Sequence, residues 1–133
     1  MKKNIFKVII SASMALCLSL GAAPNIFAAK ESSKSTPYGT LRGWISPYNE
    51  GNNKHCEAAT FIDQPVNRVK VALEAKRTST GAYIDSDQEQ RQNTTSANLV
   101  LHLSGYTGTQ VTFYGTHDAI HTKGYHVYTS TIY

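Results

Sequence analysis

The sequence predicts a small all-β domain, an antiparallel β-sandwich or barrel of about six to seven strands. Three observations carry that expectation. From residue 38 onward, short segments alternate apolar with polar residues at the period of a half-buried strand. Clusters of Gly, Pro, Asn, Asp and Ser separate those segments at regular intervals. The segments themselves are rich in Val, Thr and Tyr, which suit a pleated surface.

The first 28 residues are of a different kind. Lys2, Lys3 and Lys7 form a basic start, Val8 to Leu20 is an uncharged and largely apolar run, and Ile26-Phe27-Ala28 ends it like a cleavage site. That order matches a secretory signal peptide over 1–28, cleaved after Ala28, and predicts a secreted, extracellular protein. The apolar run of 13 residues is well short of the roughly 20 that a membrane helix needs, so no stable membrane insertion is expected.

Removing the signal changes the charge balance. The whole chain has 13 Lys and Arg against nine Asp and Glu, a formal charge of +4. Three of those cations leave with the signal and all nine acids stay, which brings the formal charge to +1. An even mixture of charges argues against a nucleic-acid partner, which needs a basic stripe, and equally against a strongly anionic membrane. Of two cysteines, Cys17 leaves and Cys56 remains, so no intrachain disulfide forms. Cys56 is expected as a small buried hydrophobe on a strand, with the neighbouring His55 pointing to the opposite face.

Residues 29–37 are polar and without period, and read as a flexible leader to a single β domain over 38–133. Thr40 to Ser46 sets Leu41, Gly43 and Ile45 on one face and Arg42 and Trp44 on the other. Pro47 to Asn53 reads as a turn. Cys56 to Asp63 is a second strand, closed by Gln64-Pro65. Val66 to Arg77 also satisfies helical spacing in part, but Val69, Val71, Leu73 and Ala75 alternate with Lys70, Ala72, Glu74 and Lys76, and strand is the better reading. Thr78 to Gly81 turns into a partner that begins at Ala82. Asp85 to Ser96 is almost wholly polar and is expected as a solvent-facing edge strand with a loop, or as a surface excursion. Ala97 to Ser104, Thr109 to Gly115 and Gly124 to Tyr133 complete the set, with a tight turn over Gly105 to Gly108.

Chemistry is sparse. His117-Asp118-x-x-His121 has the spacing at which two histidines share a helix face around one zinc, with an acid between them, and His126 or His102 would supply a third ligand. Asp118 is shorter than the usual Glu, and the segment between Gly115 and Gly124 is barely two helical turns. The alternative is a loop between two strands, with His117 and Asp118 in local turn hydrogen bonds and His121 exposed. No Gly-x-Ser-x-Gly elbow is present for a serine nucleophile. Asn93-Thr94-Thr95 matches a glycosylation acceptor, of consequence only in a eukaryotic secretory route.

Eight tyrosines and Trp44 all fall after the signal. Most read as cross-strand packing. Trp44 on the outward face of its strand, with Tyr48 and Tyr106 in turns, are the candidate ligand-binding residues. The expected function is therefore binding of a cell-wall polymer, glycan or partner protein surface, without catalysis and without a cofactor. Two alternatives are a secreted bacteriocin-like antimicrobial or toxin, and a metal-dependent hydrolase using the His117-Asp118-x-x-His121 segment, with His126 as a further metal candidate and zinc as the possible ion. The layout resembles small secreted bacterial proteins, bacteriocin-like and wall-associated ones among them, a likeness of architecture that transfers no residue roles.

Overall fold

The computed structural model describes residues 30–133; the expected signal peptide over 1–28, with Cys17, lies outside the described residues. Six strands follow in order: β1 (Glu31–Thr36), β2 (Gly39–Glu50), β3 (Asn53–Arg77), β4 (Tyr83–Ser104), β5 (Val111–Ile120) and β6 (Gly124–Ile132). Every pairing is antiparallel, and the single sheet is nearly closed into a barrel.

β3 organises the whole. Along its 25 residues β4 holds one edge throughout, while the other edge is shared: β2 pairs with the first half and β5 with the second. Between the halves the β3–β4 register is broken from Phe61 to Val66. That gap contains Pro65, which has no N–H to give to a ladder. Beyond the gap the sheet turns back over itself, so that β2 lies against β5 and β6, and β1 touches β6. Tyr38, in the β1–β2 turn, stacks on His121 after β5 with ring centroids 4.7 Å apart and meets Tyr125 edge-on, which ties the two layers at one end.

The inward faces follow the alternation of the sequence. Leu41 and Ile45 of β2, Cys56, Ala58, Val69, Val71 and Leu73 of β3, Leu99, Leu101 and Leu103 of β4, Val111 and Phe113 of β5, and Val127 of β6 form one core. Cys56 is fully buried, as expected of a small hydrophobe, and burial pushes its thiol up to about 12.

Several boundaries differ from the sequence reading. The expected strands over 56–63 and 66–77 are one strand with an interruption, because β4 pairs across both halves. Of the two alternatives for the polar stretch over 85–96, the structure has the edge strand, continuous through β4 without the expected loop and interrupted only by the register break and Asn93 at φ 50°. It is held by main-chain bonds to β3, and its side chains at Asp85, Asp87, Glu89 and Arg91 share the face of Ala75, Leu73, Val71 and Val69. The turn expected over 47–53 shortens to residues 51–52, with Gly51 at φ 59°. Within the expected flexible leader, Glu31–Thr36 forms β1; it pairs along β2 from Glu31↔Trp44 to Thr36↔Gly39. It shows no apolar alternation because none of its residues is buried.

Candidate functional site

The outward face of β1, β2 and the first half of β3 carries a groove of about 520 Å³, within the range of small-ligand sites. Register builds it. Glu31 lies opposite Trp44, Ser33 opposite Arg42, and Arg42 opposite Phe61, so these five side chains share one face across three strands. Leu41, Gly43 and Ile45 point the other way into the barrel and fix the strand beneath. Trp44 is half-buried and Phe61 is 42% exposed, which leaves aromatic surface open to solvent. The Arg42 guanidinium stands 3.8 Å from the Asp63 carboxylate, whose other oxygen accepts the Thr40 main-chain N–H at 2.7 Å. Aromatic faces beside an oriented guanidinium, a carboxylate and hydroxyls are suited to hold an extended polar ligand.

Of the aromatics expected to bind, Trp44 lies in this groove, and Tyr48 lies four residues further along the same face of β2, on the strand itself. Tyr48 stacks on His55 with centroids 5.0 Å apart. Tyr106 is in the β4–β5 turn, as expected, but it packs against the core and has the Arg77 guanidinium 5.4 Å from its ring centre. Phe61, Glu31 and Ser33 were not singled out in the sequence, because strand phase alone does not say which residue of one strand faces which of the next.

The histidine segment is not helical, and the expected loop is confined to residues 121–123: β5 runs through His117 and Asp118 to Ile120. His117 and Asp118 therefore point to opposite sides of the sheet. His117 is fully buried in the barrel, with Nδ1 hydrogen-bonded to the Thr60 hydroxyl and Nε2 to the Thr129 hydroxyl, each at 2.9 Å. Burial lowers its pKa from 6.5 to about 4, so the ring is neutral near pH 7. Asp118 faces outward and meets His126 of β6 at 2.9 Å, while His121 lies beyond the end of β5 against Tyr38. The structure thus brings Asp118 and His126 together and separates both from His117. Among the described residues, no three His, Cys, Asp or Glu side chains are grouped to hold a metal ion.

Around Asp118, the outward face of the second half of β3 with β5 and β6 is polar yet covered. Glu74 is buried there and pairs with Lys76 at 2.9 Å. Burial and the Glu74 carboxylate both raise the Tyr114 phenol. At Lys70, burial lowers the ammonium pKa against the opposing pull of Asp118. Opposite charges thus lie side by side on this face, Glu74 with Lys76 and Asp118 with Lys70.

No family model, curated protein or solved structure matches the chain.

Proposed function

We propose that the protein is a secreted, non-enzymatic binding protein that holds a cell-wall glycan strand along the groove of Trp44, Arg42 and Phe61. The observation that supports this reading is the register that sets two partly exposed aromatic rings beside Arg42, Glu31 and Ser33 on one open face. A sugar ring presents an apolar C–H face and a rim of hydroxyls. The aromatic surface covers the first, and the charged and hydroxyl side chains hydrogen-bond the second. A groove open along an edge strand suits a polymer, which enters sideways and continues past both ends.

The test is co-sedimentation of the untagged protein with insoluble peptidoglycan and with wall polysaccharide, for the wild type and for Trp44→Ala and Phe61→Ala. Both side chains are partly exposed, so both variants are expected to fold. Loss of one stacking ring is expected to weaken retention about fivefold or more, on the scale of about 1–3 kcal/mol that removal of an aromatic stacking platform costs a nucleobase ligand. Wild-type protein that stays in the supernatant with both materials, or variants that sediment like the wild type, would overturn the proposal.

A further inference from the structure

A second arrangement lies on the same outward face, at the far end of β2 from the groove. His55 of β3 is directly opposite His102 of β4 and opposite Tyr48 of β2, so the three rings form a row across three strands. The imidazoles of His55 and His102 are perpendicular, with centroids 4.6 Å apart, and their Nδ1 atoms face each other at 2.5 Å. An ordinary N–H···O or N–H···N bond spans about 2.7–3.2 Å, so this is a close approach of two nitrogens that each carry a lone pair when unprotonated. A shared cation between them satisfies both.

His55 is held for such a role from three sides. It is 5% exposed, with Tyr48 stacked on it. Its second nitrogen, Nε2, is buried and makes no hydrogen bond, while Glu50 Oε2 stands 3.7 Å away. A metal-ligating histidine almost always gives its other ring N–H to a carboxylate or carbonyl, which fixes the tautomer that leaves the ligating nitrogen free. Glu50 is placed to accept that N–H, and its own side chain is mostly exposed and free to close the remaining gap. His102 is exposed, so solvent can complete the coordination on its side.

We propose that His55 and His102 chelate one divalent transition-metal ion of the kind imidazole prefers, Zn²⁺ or Cu²⁺, through their Nδ1 atoms, with Glu50 orienting His55 and water filling the other positions. Metal–nitrogen bonds of about 2.0–2.1 Å at a tetrahedral angle place the two nitrogens about 3.3 Å apart. Rotation of the exposed His102 ring supplies the required opening, and the buried His55 stays in place. No step here depends on His117, Asp118, His121 or His126, and the proposal does not rest on the groove reading.

The experiment is calorimetric titration of the untagged, metal-stripped protein with Zn²⁺ and separately with Cu²⁺, with electron paramagnetic resonance of the Cu²⁺ form. One ion per chain is expected, with nitrogen hyperfine structure from two imidazoles. His102→Ala, at an exposed position, is expected to keep the fold and lose that binding. Glu50→Gln is expected to weaken it about tenfold or more, and His126→Ala to leave it unchanged. If only a proton bridges the two rings, neither ion will bind stoichiometrically, and the proposal fails. It fails equally if His102→Ala binds like the wild type.

Discussion

The imidazole of His117 fills the space that a side chain at Gly43 would need. A Cβ at residue 43 would overlap the ring carbons of His117, and one at Gly115 would collide with the Thr129 hydroxyl that bonds the same ring. The two glycines are thus the walls of a slot in which a polar ring crosses the barrel interior, from Thr60 on β3 to Thr129 on β6.

Gly43→Ala should therefore be costly although the residue is small and its strand regular. Overpacking of a closed core costs about 1–3 kcal/mol, and here the obstacle is a ring hydrogen-bonded at both nitrogens. A lower urea midpoint with unchanged slope is the expected result. In a His117→Ala background the cost of the same substitution should shrink, because the clash is gone. A Gly43→Ala protein as stable as the wild type would mean that the ring yields freely.

His117 also sets a pH dependence. Its folded pKa, about 4, lies below the ordinary value of 6.5. At pH 7 the ring is neutral in both states and contributes no slope. As pH falls below about 6.5 the unfolded chain takes up a proton that the folded protein refuses, and stability declines until about pH 4, where both states bind it. The integrated loss is on the order of 3 kcal/mol. Urea midpoints measured between pH 7 and pH 4 should show this fall, and His117→Gln should flatten the part due to this ring. An equal decline in the variant would assign the effect to other groups.

The outer edge of β4, unpaired among the described residues, makes a further claim testable. Asp85, Asp87 and Glu89 lie on the barrel-facing side of an edge strand, and Arg91 beyond them contacts Glu89 at 3.5 Å. Charges so placed block a second sheet from adding to the edge. Replacing Asp85, Asp87 and Glu89 together by Thr should leave the fold intact and shift the protein toward dimers or larger species, as read by light scattering after size exclusion. A triple variant of unchanged size would show that the edge is protected by other means.

The same stretch shows what the sequence could and could not reveal. The strands of the core were legible, since Leu99, Leu101 and Leu103, or Val69, Val71 and Leu73, bury every second residue and leave a period to read. Asp85 to Ser96 offered no such period, because its strand is fixed by main-chain bonds to β3 and not by burial. The continuity of β3 through Pro65 was hidden for a related reason: a proline in a run normally ends a strand, and only the partner spanning both sides shows otherwise. Trp44 and Arg42 were placed on their shared face by alternation alone. Phe61 beside Arg42, and His102 beside His55, depend on register between strands, which a single sequence does not encode in any local pattern. Gly115 suggests an end to the strand and the spacing of His117 from His121 also suits a helix, so neither the loop nor the helix reading places His117 on β5, which runs on to Ile120.

That one strand serves both layers bears on how the chain folds. β3 and β4 are joined by a turn at residues 78–82 and pair from Lys76↔Tyr83 outward to Asn53↔Ser104, so the longest ladder in the molecule can zip from a single local closure. Hairpins form in about 1–10 μs, and β2 adds through its own tight turn at residues 51–52, while the pairing of β5 against the far edge of β3 must await the bend and close over a longer loop. The hairpin is then the natural nucleus and the closing of the barrel the late event. In folding kinetics, substitutions in the 78–82 turn should act mainly on the refolding rate, and Gly43→Ala, which disturbs only the closed barrel, mainly on the rate of unfolding.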